Sequence, residues 1–195
     1  TGIIPILLSG KKDISKVIGI EIQKEVAEMA IRSVKMNNLE DKINILNIDL
    51  KDAEEYLEIN SFDAVVTNPP YKLSNSGIIN PSDKKAISRH EVKCTLEDVI
   101  KISSRLLKHH GRLFMVHRPQ RLVDIMCLLR QYKLEPKNIR LVHPKVGEKP
   151  NMMLIKAVKA ANRELKFENP LYVYNDDGSY TDEIYKIYDL NKIIR

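Results

Sequence analysis

Asn68-Pro69-Pro70-Tyr71 is the motif of this chain with the clearest chemistry, and it directly follows the β-branched segment FDAVVT. An adenine amino group is a poor nucleophile because its lone pair is delocalised into the ring. The Asn68 side-chain oxygen and the Pro69 carbonyl are two fixed acceptors for its protons. Because proline has no N–H, no competing backbone hydrogen bond of the sheet draws the Pro69 carbonyl away. Tyr71 can stack on a base. The motif predicts methyl transfer to an amino nitrogen by positioning and preorganised dipoles, and the alternative is a rigid turn.

Acidic residues follow two earlier segments that are predicted to be strands. Glu21 ends VIGIEI, nineteen residues after Gly2, and an acid there can accept hydrogen bonds from both hydroxyls of a ribose. Asp49 ends the next such segment and can accept from an adenine amino group. Each has a simpler alternative: Glu21 as a surface acid, and Asp49 as the N-cap of a short helix over residues 51–56.

The elements that must position these residues alternate between strand and helix. Such alternation predicts an α/β, Rossmann-like, doubly wound sheet, mostly parallel, whose ligand lies at the carboxyl ends of the strands. The connection over residues 144–151 is too short for a parallel crossover, so the last strand pair should be antiparallel. The predicted strands are 17–22, 43–48, 62–67, 111–117, 139–142 and 152–158; the predicted helices are 24–38, 95–109 and 119–132; a long loop covers 69–92; and a strand, a turn and a helix follow from Leu171.

The motifs together resemble the bacterial valine-tRNA (adenine-N6)-methyltransferase family of class I S-adenosylmethionine-dependent enzymes. The resemblance covers nearly the whole chain, and its motifs are TGIIP at the start, the acids Glu21 and Asp49, NPPY, SRHE, GRL, HRPQRL, VHPK and the tail DGSYT. It implies S-adenosylmethionine as cofactor and tRNA as substrate. It assigns catalysis to Asn68, Pro69, Pro70 and Tyr71, and cofactor binding to Thr1, Gly2, Glu21, Ile22, Asp49, Leu50 and Asn68.

One departure from the family concerns the start of the chain, where only Thr1 and Gly2 remain of the glycine-rich cofactor loop. The family has a strand and a further glycine before them. We expect residues 1–195 to be a single methyltransferase domain truncated at its N-terminus, with residues 169–195 as an extension. The first strand would be missing, so we expect a gap in the sheet, or another segment in its place, and weak or no cofactor binding by this chain alone.

The positive charge is concentrated in residues 101–150, which carry twelve basic and three acidic side chains. Such a surplus suits RNA, and the alternative is a solvated surface. Arg118 and Arg121, with Arg89 and His90 in the long loop, are the predicted phosphate contacts.

Other residues bear on the compartment and on metals. The sequence shows no membrane span and no spacing of metal ligands. Cys94 and Cys127 are predicted to be buried free thiols, which suits the cytoplasm.

The sequence therefore predicts methyl transfer to the N6 amine of an adenine in tRNA. The base must lie in a loop or be flipped out, because a stacked and paired base hides its amino group. The four-residue motif is also typical of enzymes that act on a guanine amine or on a protein glutamine amide, so these acceptors stay open. A non-catalytic RNA-binding module is a further alternative. A nicotinamide dehydrogenase would explain Glu21 but not the NPPY motif.

Overall fold

The structure is a computed structural model that describes residues 2–10, 14–69 and 94–189. The chain divides into two compact units. Unit 1 contains Thr1–Leu57 and Ser74–Asp98, and unit 2 contains Glu58–Leu73 and Val99–Arg195. No helix in the described ranges is long and apolar enough to cross a membrane.

Unit 1 is built around two short parallel strands. Ile18 of the first pairs with Asn44 of the second, and Ile20 pairs with Leu46 at their carboxyl ends. The elements are α1 (Ile3–Ser9), β1 (Val17–Ile20), α2 (Lys24–Met36), β2 (Ile43–Leu46), a 3-10 helix (Leu50–Asp52) and α3 (Ala53–Tyr56). The helix α2 is amphipathic, as its apolar spacing predicts, and its buried face is formed by Ala27, Ala30 and Val34. Ile31, which belongs to the apolar spacing, is exposed.

Gly2 precedes α1 in a backbone conformation that only glycine adopts without strain. Its φ is 70°, and a Cβ atom placed on it would lie 3.1 Å from the Cβ of Ala30. A side chain at Gly2 would therefore meet both a left-handed backbone and the packed surface of α2. This close approach is the geometry expected of a residue from a glycine-rich loop.

Unit 2 is built around a sheet of six strands. Its elements are β3 (Phe62–Thr67), α4 (Leu96–Leu106, of which the residues up to Asp98 belong to unit 1), β4 (Leu107–His117), a 3-10 helix (Pro119–Arg121), α5 (Leu122–Gln131), β5 (Leu134–His143), β6 (Met152–Lys159), β7 (Lys166–Phe167), β8 (Leu171–Tyr172) and α6 (Asp182–Tyr188). The strand order is β3-β4-β6-β5-β7, with β8 also paired to β5. β3 and β4 are parallel, whereas β6 is antiparallel to both β4 and β5, which confirms the predicted antiparallel pair.

The core of unit 2 lies on one face of this sheet, where alternate residues of the strands are buried together with residues of α4 and α5. This arrangement follows from the period of two in a strand and of 3.6 in a helix. The buried apolar residues of these strands and helices are Leu107, Leu113 and Met115 of β4, Met153, Ile155 and Ala157 of β6, Leu134 and Ile139 of β5, Val99, Ile100, Ile102 and Leu106 of α4, and Ile125 and Leu129 of α5.

The helix predicted over residues 95–109 ends earlier, at Leu106, and His109 and His110 lie in β4 instead of at a helix end. At this end the amides of Asn60 and Ser61 donate to the carbonyls of Arg105 and Leu106, and Lys159 of β6 adds further bonds. Its Nζ donates to the carbonyls of Ser104 and Leu107 at 2.5 and 2.8 Å and so satisfies the helix terminus. A partner so distant in sequence leaves no local signal.

The two cysteines are both free thiols, as predicted, but their predicted burial is only partly right. Cys94 is half-buried, and burial raises the pKa of its thiol. Cys127 is exposed, contrary to the prediction. It lies two residues from the buried Ile125, and in a helix two residues two apart point to different sides.

Candidate active site

Glu21 lies immediately after β1 in unit 1, where its backbone amide and one of its carboxylate oxygens form hydrogen bonds. Its amide donates to the carbonyl of Leu46 at 3.0 Å, which extends the pairing with β2 by one residue. Its Oε1 accepts from the amide of Gln23 at 3.0 Å, next to the start of α2. No described residue bonds Oε2, so this carboxylate can present one oxygen to a ligand.

Asn47 is a residue of this site that the sequence analysis did not identify. Its Nδ2 donates to the carbonyl of Glu21 at 2.7 Å and to the carbonyl of Ile22 at 3.0 Å. These bonds replace the further β pairing that the sequence predicted, because β1 ends at Ile20 and β2 at Leu46. Its place as a polar residue at the end of the predicted strand 43–48 is the sequence feature that could have identified Asn47.

Asp49 caps the short 3-10 helix that begins at Leu50, which confirms the alternative considered for it. Its Oδ1 accepts from the amide of Lys51 at 2.9 Å, and its Oδ2 lies 3.3 Å from the Lys51 ammonium. Both oxygens therefore have a partner. Each carboxylate oxygen has two lone pairs, so Asp49 keeps capacity for one more donor such as an amino group.

Asn68 and Pro69 follow β3 at the carboxyl edge of the sheet in unit 2. Thr67, the last residue of β3, pairs with Met115 of β4, two residues before His117. Asn68 is exposed, whereas Pro69 is buried. The strand is thus anchored on both sides of Asn68, and its amide side chain is left at the surface of the edge where ligands bind in such sheets.

His117 ends β4 at the same edge and is completely buried. Its Nδ1 accepts from the amide of Arg118 at 2.9 Å. Burial, followed by the nearby guanidinium charges of Arg121 and Arg118, lowers the pKa of His117 from its ordinary value of 6.5. The imidazole is therefore neutral at pH 7, and it packs inside the sheet end from which Asn68 and Arg118 emerge.

Arg118 and Arg121 lie at this edge as well, on the turn between β4 and α5. Arg118 is exposed, and Arg121 forms an ion pair with Asp124 at 2.6 Å. At least five of the twelve basic residues in 101–150 are in ion pairs. Three of these pairs use acids from outside the segment: Lys108 with Asp63, Lys137 with Glu164, and Arg140 with Glu183. The charge available to an RNA is therefore smaller than the sequence count indicates.

Several predicted site residues lie outside the described residues: Thr1, Pro70, Tyr71, Arg89 and His90. Of the others, Gly2, Glu21, Ile22, Asp49 and Leu50 are in unit 1, and Asn68, Pro69, Arg118 and Arg121 are in unit 2. Within unit 1 the structure joins the Glu21 loop to the segment after β2 through Asn47. Within unit 2 it brings Asn68 and Arg118 to one sheet edge.

Comparison with known proteins identifies relatives along almost the whole chain, although no family model matches it. The tRNA1(Val) (adenine(37)-N6)-methyltransferase of Porphyromonas gingivalis is 28% identical over 192 residues, which are 96% of this chain and 74% of that protein. Other bacterial proteins of the same name are 20–28% identical over most of the chain. The resemblance predicted from the sequence is thereby confirmed.

Solved structures with the same fold are also methyltransferases. A predicted O-methyltransferase from Agrobacterium tumefaciens superposes with a TM-score of 0.70 at 24% identity, over 89% of this chain and 77% of that one. A geranyl diphosphate C-methyltransferase from Streptomyces coelicolor, solved with S-adenosyl-L-homocysteine, has a TM-score of 0.57 at 13% identity, over 79% and 66%. The chain is thus a homologue of the bacterial tRNA1(Val) (adenine(37)-N6)-methyltransferases with the Rossmann-like fold of class I methyltransferases.

Proposed function

We propose that this chain transfers a methyl group from S-adenosylmethionine to the exocyclic N6 amine of an adenine in tRNA. The observation that carries the proposal is the place of Asn68, exposed at the carboxyl end of β3 and followed by the buried Pro69. The names of the relatives support the same reaction and the same substrate class. In this proposal residues 1–195 act as one cytoplasmic methyltransferase domain, with residues 169–195 as an extension.

The residues of unit 1 fit the adenosine part of the cofactor. Glu21 offers a carboxylate oxygen for the ribose hydroxyls, and Asp49 retains acceptor capacity for the adenine amino group. Gly2 keeps the backbone free of a side chain where it approaches α2, as a loop around a cofactor requires. Ile22 and Leu50 adjoin the two acids. The cofactor, when bound, supplies an electrophilic methyl group on a positively charged sulfur.

The residues of unit 2 prepare the acceptor nitrogen. The Asn68 side-chain oxygen and the Pro69 carbonyl accept the two amino protons, which holds the nitrogen and favours a localised lone pair. As parts of the same motif, Tyr71 is assigned to stacking on the base, and Pro70 to the catalytic motif that holds it. The buried His117 ends β4 at the sheet edge that carries Asn68, and its lowered pKa keeps it uncharged at pH 7. Arg118 and Arg121 contact phosphates, alongside Arg89 and His90.

Transfer of a tritiated methyl group tests the proposal in the full-length protein, with bulk tRNA and with bulk protein as acceptors. We expect label in tRNA, recovered as N6-methyladenine after digestion. Asn68→Ala should lower the rate by roughly 100-fold, the scale of losing one preorganised group. The matched control is Asn162→Ala, an exposed asparagine of unit 2. Label in protein alone, or a normal rate for Asn68→Ala, would contradict the proposal.

A further inference from the structure

Asn47 is an exposed side chain that nevertheless makes two hydrogen bonds to the loop after β1. It follows β2 directly and is exposed, and its Nδ2 donates to the carbonyls of Glu21 and Ile22 at 2.7 and 3.0 Å. Water could satisfy both carbonyls at this surface. The two bonds are therefore better explained by the shape that they impose on the loop than by the satisfaction of its polar groups.

The planarity of the trans peptide determines how the groups of the loop at Glu21 and Ile22 are oriented. A carbonyl and the amide N–H of the same peptide point in opposite directions. Since the carbonyls of Glu21 and Ile22 both point to Asn47, the amides of Ile22 and Gln23 point away from it. The Gln23 amide meets the Glu21 carboxylate there, at 3.0 Å. Asn47 thus turns the Glu21 carboxylate and the Ile22 amide to one side, an acceptor beside a donor.

Asn47 also connects this loop to the segment that carries Asp49, the other acid assigned to the cofactor. Asp49 lies two residues further along, with its carboxylate held by the amide of Lys51. Together with the bond from the Glu21 amide to the Leu46 carbonyl, the Asn47 side chain therefore limits how far the Glu21 backbone can move relative to the segment that carries Asp49. A ligand that binds both acids needs that separation to be constant.

We infer that Asn47 is a positioning residue for the adenosine part of the cofactor, acting through the backbone of Glu21 and Ile22. This inference rests on the proposed function, because it assumes that Glu21 and Asp49 bind that part of the cofactor. Asn47 itself has no contact with the reacting atoms in this assignment. Its loss should weaken the binding of every ligand that contains the adenosine group and leave the methyl-transfer step nearly unchanged.

The test compares Asn47→Leu with Asn44→Leu in the full-length protein. Asn44 is an exposed asparagine of β2 whose side chain bonds to no described residue, so its replacement removes the same amide group three residues before Asn47. Titration calorimetry with S-adenosylhomocysteine should show roughly tenfold weaker binding for Asn47→Leu, as expected for losing both bonds, and no change for Asn44→Leu. The KM for S-adenosylmethionine should rise by the same factor, with kcat within about twofold.

Two further variants separate positioning from a general loss of structure. Asn47→Asp places an acceptor against two carbonyls and should weaken binding more than Asn47→Leu, whereas Asn47→Gln, which keeps the amide, should recover part of the affinity. Equal affinities for Asn47→Leu and the unmodified protein would overturn the inference. Failure of the unmodified protein to bind S-adenosylhomocysteine would overturn the proposed function instead, so the two failures are distinguishable.

Discussion

Replacement of Glu21 by glutamine should weaken cofactor binding through the geometry seen at the end of β1. Glutamine has the same shape but one acceptor oxygen in place of two. The Gln23 amide takes the Oε1 atom of Glu21 at 3.0 Å. In the Glu21→Gln variant the side-chain oxygen should keep this bond, since the amide at the start of α2 needs an acceptor. The NH2 group then faces the ribose, whose hydroxyls can no longer donate to it.

The size of the effect follows from the bonds that are lost. A hydrogen bond to a charged group contributes about 1.5–3 kcal/mol. Two ribose hydroxyls donate to Glu21 in the proposed complex, but the half-buried carboxylate recovers part of its hydration when they leave. A net loss near that of one such bond, about 1.5–3 kcal/mol, corresponds to a dissociation constant that is roughly 10 to 150 times higher.

Titration calorimetry with S-adenosylhomocysteine measures this change in the full-length protein. Glu25→Gln is the matched control, because Glu25 lies exposed in the first turn of α2 and the substitution removes the same charge. Glu21→Asp should also bind weakly, since the shorter side chain cannot reach both the Gln23 amide and a ribose. A Glu21→Gln protein that binds within about threefold of the original would refute the assignment of Glu21 to the ribose.

Three other predictions concern unit 2. Lys159→Met should destabilise the protein by about 2–4 kcal/mol in urea unfolding, because two carbonyls at the end of α4 lose their donor, whereas Lys156→Met on the same strand should change little. The lowered pKa of His117 keeps its side chain neutral in the folded protein, whereas in the unfolded chain it takes up a proton below about pH 6.5. The free energy of unfolding should therefore fall as the pH drops through that value. If it falls as steeply with pH in His117→Gln as in the unmodified protein, this prediction is wrong. Combined Arg118→Ala and Arg121→Ala should reduce the slope of log tRNA affinity against log salt by roughly 1.5, and an unchanged slope would exclude them as phosphate contacts.

The order and type of most elements could be predicted from the sequence, because apolar periodicity records which face of an element is buried. The strand at Phe62–Thr67 and the antiparallel pair of β5 and β6 are as predicted. The class of protein also followed from the sequence, since the NPPY motif joins unusual residue types directly after a strand. Such motifs are local, so a linear reading suffices to find them.

Only the tertiary structure shows which polar and charged side chains form hydrogen bonds or ion pairs, and with which partners. The end of α4 is bonded by Lys159, fifty-three residues after Leu106, and the loop at Glu21 is bonded by Asn47, directly after the next strand. The charge of residues 101–150 is reduced by acids elsewhere in the chain, which a count by segment cannot register. The physical reason is the same in each case. Hydrogen bonds and ion pairs act over a few ångströms in space, and the partners that make them are brought together by the fold regardless of their distance in sequence.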